Sequence, residues 1–215
     1  DQPFIPNSGI ERLAVGEHSG EVFIAGRQGL LHTDDAGEHW HERNNGFIGS
    51  EVVDIIKASD GTLYAGTYSL GMFKSTDQGQ SWTFSSYALE NPYIMLIAAH
   101  PTKPQTIFVT TNGGVYVSLD SGLTWERVAE DFFSDSELLP GISHFHGISF
   151  DPQDEKRIYV GGGGDQYSPN GVGISISEDG GKSWKPSNEG FEIDVHVSKI
   201  VVDKSNSSII YATTQ

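Results

Sequence analysis

The sequence predicts an all-β protein built by repeating one module. Three observations point there. One octad, Ser/Thr-x-Asp-x-Gly-x-x-Trp, occurs four times, at Thr33–Trp40, Ser75–Trp82, Ser118–Trp125 and Ser177–Trp184. Short runs of Val, Ile, Tyr, Phe and Thr alternate with turn residues along a chain of 215 residues that holds 26 Gly, the composition of strands and tight turns. No stretch carries the apolar period of a helix.

Strand residues precede each octad and its Trp opens the next strand, so the octad is a hairpin turn. The Asp carboxylate is placed to accept backbone N–H groups across the turn. The Gly supplies a positive-φ position. The Trp lays a large apolar surface beneath, with an indole N–H in need of a partner. Asp35, Gly37, Trp40, Asp77, Gly79, Trp82, Asp120, Gly122, Trp125, Asp179, Gly181 and Trp184 are therefore structural. The octad is expected to be a self-contained folding device with no catalytic part.

These octads resemble Asp-box (BNR) repeats, as in sialidases, sortilin-type receptor domains, xyloglucanases and the propeller factors that assist photosystem II assembly. The resemblance covers nearly the whole chain. It implies a single β-propeller domain of four-stranded antiparallel blades, with one box per blade between the third and outermost strands. It says little about activity, because such propellers hydrolyse glycosides, bind peptides or act as scaffolds.

In order, the blades fall at residues 10–46, 51–88, 93–130 and 143–190, with a partial fifth at 195–215. Blade one reads as strands Ile10–Val15, Glu21–Gly26 and Gly29–Thr33; blade two as Val52–Lys57, Thr62–Gly66 and Gly71–Ser75. Blade three reads as Tyr93–Ala99, Thr106–Thr110 and Gly114–Ser118; blade four as His144–Phe150, Arg157–Gly161 and Gly173–Ser177. The fifth unit supplies His196–Val202 and Ile209–Thr213. A propeller that does not close leaves raw sheet edges. Four full blades plus half a fifth are thus expected to be an incomplete ring, part of roughly six to eight blades; the alternative is a five-bladed ring with a short last blade.

Composition excludes several classes. A formal charge of −16 rules against nucleic acid and anionic lipid surfaces, which need a basic footprint. No run of 18 apolar residues exists, so no membrane span is expected. The absence of Cys removes disulfide scaffolds, thiol catalysis, Cys-ligated zinc and c-type haem. No cofactor is expected beyond the metal ion considered below. Asp-box proteins are usually exported, so the resemblance implies a periplasmic or extracellular location.

Differences between the repeats mark a special surface. From the strand-B aromatic (Phe23, Tyr64, Phe108, Tyr159) to the box Asp the spacing is 12, 13, 12 and then 20 residues. From the box Trp to the buried residue of the next first strand (Ile55, Ile97, Ile148, Ile200) it is 15, 15, 23 and 16. The two insertions, Ala129 to Ser143 and Gly161 to Gly171, adjoin blade four. Both rise from the rim opposite the boxes, where loops are free to acquire function.

The first insertion offers Glu130, Asp131, Asp135 and Glu137 beside Phe132 and Phe133; the second offers Asp165 and Tyr167. Carboxylates next to aromatics suit a sugar groove, and a glycosidase needs two carboxyls roughly 5–10 Å apart. His144 and His146 alternate on a strand, and His144 shares a register position with His196, so His144, His146 and His196 form a candidate metal site. Glu51 and Tyr93 share that position. Arg12, Asp54, Leu96, Gly147 and Lys199 lie one step inward, as a hydrated channel lining with local ion pairs.

The sialidase pattern is absent. Phe4-Ile5-Pro6 stands where an Arg-Ile-Pro element belongs, and the chain has five Arg in all. No catalytic Asp of the xyloglucanases can be carried over. The expected function is therefore a non-catalytic binding or assembly propeller. It would hold a protein or peptide partner through Phe132, Phe133, His144, Asp165, Tyr167 and His196, at the rim of blade four and the channel mouth. The alternative is a glycan-active propeller, glycoside hydrolase or lectin-like, that uses loop 129–143 with Glu130, Asp131, Asp135 and Glu137 as catalytic candidates.

Overall fold

The computed structural model describes residues 9–27, 29–47, 51–128, 144–163, 173–190 and 195–214. Blade one comprises β1 (Ile10–Val15), β2 (Val22–Gly26), β3 (Gly29–Thr33) and β4 (His41–Glu42). Blade two comprises β5 (Val52–Lys57), β6 (Leu63–Thr67), β7 (Met72–Ser75) and β8 (Thr83–Phe84). Blade three comprises β9 (Ile94–Ala99), β10 (Ile107–Thr111), β11 (Gly114–Ser118) and β12 (Glu126–Val128). Blade four comprises β13 (His144–Phe150), β14 (Ile158–Gly163), β15 (Gly173–Ser177) and β16 (Lys185–Pro186). A two-stranded sheet follows, β17 (Val197–Val202) with β18 (Ile210–Thr214).

Each four-stranded sheet runs antiparallel in sequence order, the up-and-down blade of a β-propeller. The inner strands β1, β5, β9, β13 and β17 lie side by side in succession. Each inner ladder carries a register shift near its start. In four of them it falls between Ile10 and Arg12, Val52 and Asp54, Phe145 and Gly147, and Val197 and Lys199; in blade three it lies where Ile94 and Leu96 face Thr111 and Thr110. Such bulges add local twist, which helps wedge-shaped sheets fan about an axis. They also bring Arg12, Asp54, Leu96, Gly147 and Lys199 to equivalent positions.

The core lies between the sheets. Four clusters fill the four spaces between successive blades: Phe23 against Ile55 and Leu63; Tyr64 and Met72 against Ile94 and Ile107; Phe108 and Val115 against Phe145 and Ile158; Tyr159 and Ile174 against Val197 and Ile200. The strand-B aromatic of each blade thus faces the next blade, and the strand-A aliphatic faces the one before. Fully burying one such side chain contributes about 1.5–3 kcal/mol. At the two outer sheets the same positions are open: Leu13 is 61% exposed where Ile55 is 2%, and Tyr211 is 59% exposed where Tyr64 is 0%.

All four boxes share one hydrogen-bond plan. The buried first hydroxyl donates to the Asp Oδ1 (Thr33 to Asp35, Ser75 to Asp77 and Ser118 to Asp120 at 2.7 Å, Ser177 to Asp179 at 2.8 Å). It accepts the N–H of the Gly, at 2.9 Å for Gly37 and 2.8 Å for Gly79, Gly122 and Gly181. Those glycines have φ between 79° and 93°, in the left-handed region that side chains oppose. The Asp Oδ1 also accepts the N–H of the seventh residue, His39, Ser81, Thr124 or Ser183, at 2.9 Å.

The box is not self-contained. Trp82 Nε1 donates to the Arg43 carbonyl and Trp125 Nε1 to the Ser85 carbonyl, each on the preceding blade. A buried indole N–H needs an acceptor, and in these two boxes the neighbouring blade supplies it. Trp184 instead reaches the Gly181 carbonyl of its own box.

Candidate functional site

Both lengthened connections meet the blade-four sheet at one end. His144 pairs across the ladder with Gly163, and Gly162 with Gly173, so the described residues that flank the two connections, His144, Gly163 and Gly173, lie at the same end of the sheet. β14 runs on to Gly163, because Gly161 to Gly163 pair in the ladder and do not open a loop as expected. Glu130, Asp131, Phe132, Phe133, Asp135, Glu137, Asp165 and Tyr167 lie outside the described residues.

His146 and His196 come together, with ring centroids 4.9 Å apart and planes at 81°. Gly163 makes this fit, since a Cβ there would stand 2.3 Å from His196 Cδ2. The Nε2 of His196 is buried without a hydrogen-bond partner among the described residues. Two imidazoles fall short of the three or four ligands of a protein zinc site. A register shift falls at His146, between Phe145 and Gly147, and the side chain of His144 lies outside the described residues. One other group among the described residues, Asp35, Glu38 and His39, brings three potential ligand atoms within 4.8 Å. It is a surface group, and Asp35 already accepts bonds from Thr33 and His39.

Asp54 ties three blades. Its Oδ2 accepts the Ile97 N–H at 2.7 Å, and its Oδ1 accepts the Ile55 N–H at 3.0 Å and faces Arg12 Nε at 3.5 Å. The expected ion pair is present, but the carboxylate is 3% exposed and not part of a hydrated lining. Burial pushes its pKa up to about 6, against the lowering effect of its donors and of Arg12.

On the loop rim of blades one to three stand an ion pair, Arg27 Nε to Glu51 Oε1 at 3.7 Å, and two aromatics. Tyr68, in the β6–β7 turn, meets Tyr93, just ahead of β9, with centroids 5.5 Å apart at 74°. Both are exposed. Sequence reasoning passes over Tyr68 and gives Tyr93 a register position without a role. The available signal was that one rim turn per repeat could be compared, and blade two alone puts an aromatic with a leucine there (Tyr68, Leu70).

The fold and these turns define an Asp-box β-propeller. The chain belongs to the Sortilin-Vps10 family, described as sortilin, neurotensin receptor 3, whose sequence profile matches residues 71–215. A xyloglucanase of Hypocrea jecorina (strain QM6a) is 28% identical over 165 residues, which cover 76% of this chain and 18% of that protein. Further curated relatives, at 25–28% identity, also carry xyloglucanase names. The chain spans between 15% and 26% of the length of the curated relatives it matches. Among solved structures, the GH74 enzyme of Niastella koreensis superposes with a TM-score of 0.71 at 18% identity, covering 95% of this chain and 33% of that one. YCF48 bound to D1 peptide superposes with a TM-score of 0.70 at 13% identity, covering 100% and 64%. At such identities the superpositions establish the propeller fold.

These relatives correct one expectation. The main reading, a non-catalytic propeller for a protein or peptide partner, is overturned by curated relatives named as xyloglucanases; the glycan-active alternative fits them. The error has a physical source. The boxes carry fold and no chemistry, so a sequence matched mainly through its boxes says nothing against catalysis elsewhere.

Proposed function

We propose that these blades belong to a glycan-active propeller of glycoside-hydrolase type, which takes a xyloglucan-like β-glucan across the rim opposite the boxes. The observation that carries this reading is the relationship at 28% identity, over 76% of the chain, to a protein named xyloglucanase. The chemistry of the chain is in keeping with it. A formal charge of −16 repels acidic polymers and is indifferent to an uncharged glucan. In this reading Phe132 and Phe133 stack on sugar rings, while Glu130, Asp131, Asp135 and Glu137 bind hydroxyls or act as acid and base. A polysaccharide cannot cross a bilayer unaided, so the protein meets it in the periplasm or outside the cell.

The test is binding and hydrolysis of xyloglucan and its oligosaccharides, followed by calorimetry and by release of reducing ends. Wild-type protein is expected to bind, and the combined Glu130, Asp131, Asp135 and Glu137 to Ala variant to lose affinity. A chain that binds no β-glucan at all would overturn the reading. Unchanged affinity in the variant would remove loop 129–143 from the site.

A further inference from the structure

We propose that Tyr68 and Tyr93 form a stacking platform for one pyranose ring of an uncharged β-glucan, on the loop rim between blades two and three. The proposal rests on the glycan reading above and adds a subsite well separated in sequence from loop 129–143. It starts from exposure. Tyr68 is 52% exposed and Tyr93 39%, and Leu70 beside them is 40% exposed, whereas the strand-B tyrosines Tyr64 and Tyr159 are buried. A contiguous aromatic and aliphatic shelf at a surface marks a binding position.

The shelf is held rigidly. Thr67 Oγ1 donates to the Gly71 carbonyl at 2.8 Å and accepts the Leu70 N–H at 2.9 Å, which closes the β6–β7 turn on itself. The Tyr68 N–H reaches across to the Glu51 carbonyl at 3.0 Å, on the crossover entering blade two. The Gly71 N–H donates to the Pro92 carbonyl at 3.1 Å, and the Tyr93 N–H to Asn91 Oδ1 at 2.9 Å. The two loops that carry the rings are therefore bonded to each other. Gly71 is obligatory here: its φ is +80°, and a Cβ would stand 2.2 Å from Ser86 Oγ. Two aromatics already ordered lose little freedom when a ligand settles on them, which is how preorganisation contributes affinity.

The occupant follows from the chemistry. An edge-to-face pair at 5.5 Å and 74° uses one ring edge and leaves further ring surface open. Aromatic faces are electron-rich and attract the polarised C–H groups on the face of a glucopyranose. Phenol hydroxyls and the Arg27–Glu51 pair on the same rim offer polar partners for equatorial hydroxyls. The strongly acidic chain selects against uronate-bearing or sulfated polymers and leaves a neutral glucan.

The experiment titrates the whole chain with xyloglucan oligosaccharide and with unbranched cello-oligosaccharide by calorimetry. Tyr68→Ala and Tyr93→Ala are each expected to weaken binding roughly three- to tenfold, and Tyr68→Phe by no more than about twofold, because the ring face is retained. Tyr87→Ala is the control. It is more exposed, at 66%, but its ring meets Phe84 of the outermost strand β8 and takes no part in the Tyr68–Tyr93 pair, and its loss is expected to leave affinity unchanged. Thermal midpoints of all variants should match wild type, since each site is exposed. Wild-type affinity in both alanine variants would overturn the platform while leaving the glycan reading intact. Wild-type protein that binds no glucan would overturn both, and an equal loss in Tyr87→Ala would place the contact elsewhere.

Discussion

Trp125 Nε1 donates to the Ser85 carbonyl at 3.0 Å, from the box of blade three to the outer edge of blade two. Trp82 makes the same bond one blade earlier, to the Arg43 carbonyl at 2.9 Å. The turn that recurs in sequence is thus also a clamp between modules. A blade folds its own box but needs its neighbour to satisfy the indole.

Trp125→Phe keeps an aromatic ring and removes the bond, so it should cost about 1 kcal/mol. Trp125→Ala also leaves a cavity and should cost about 3–5 kcal/mol. Urea denaturation midpoints, converted to free energies, measure both. A Phe variant as stable as wild type would mean that the indole bond contributes nothing to blade stacking.

Acid should loosen the boxes. Asp77, Asp120 and Asp179 are held down from 3.8 to about 2, first by the hydroxyls of Ser81, Thr124 and Ser183 that donate to them, then by other box hydroxyls and backbone N–H groups. A folded pKa below the unfolded one means that the stabilisation is present above the unfolded value. It is lost as pH falls through about 4 and on toward 2. Melting temperatures over that window should fall for wild type and fall less for Asp120→Asn. Parallel curves would show that the carboxylate bonds are not what acid breaks.

Asp54 titrates with the opposite sign. Its folded pKa is raised to about 6 from 3.8, chiefly by burial, so the native state holds the proton more tightly than the unfolded chain. The resulting stability is full below the unfolded value and is lost as pH rises through about 6. Wild type should therefore gain stability from pH 7 to pH 5 relative to Asp54→Asn. Identical pH profiles would place the Asp54 carboxylate in contact with water.

Equivalent positions should differ sharply in cost. Ile55→Ala removes a side chain from the space between blades one and two and should cost about 2–5 kcal/mol. Leu13→Ala, at the same place in the repeat but exposed, should shift the same 215-residue chain by no more than about 0.5 kcal/mol. Equal costs would mean that another surface of the chain covers Leu13.

Much of this architecture was legible in the sequence. β1, β3, β5, β11, β13 and β15 keep their expected bounds, β2, β7, β9 and β17 lose their first residue, β6, β10 and β18 shift by one, and β14 starts one residue later and ends two later. The inner register that aligns Arg12, Asp54, Leu96, Gly147 and Lys199 also holds. The candidate site was less legible. His146 and His196 do meet, while the side chain of His144 lies outside the described residues. Tyr68 departs from the repeat pattern, and its meeting with Tyr93 depends on two loops that are distant in sequence.

By itself the sequence determined the hairpins, the boxes and the order of the strands. Those depend on contacts within about eight to ten residues, where turn chemistry and two-residue alternation act. Only the tertiary structure decided which aromatic is core and which is surface. Tyr64 and Tyr68 sit four residues apart in one hairpin, yet one lies under the next blade and the other stands on the rim beside Tyr93. It likewise decided that Asp54 is buried and that the box tryptophans clamp neighbours. Burial and pairing across a propeller are set by the adjoining blade, and residues about 40 positions away in the chain supply it.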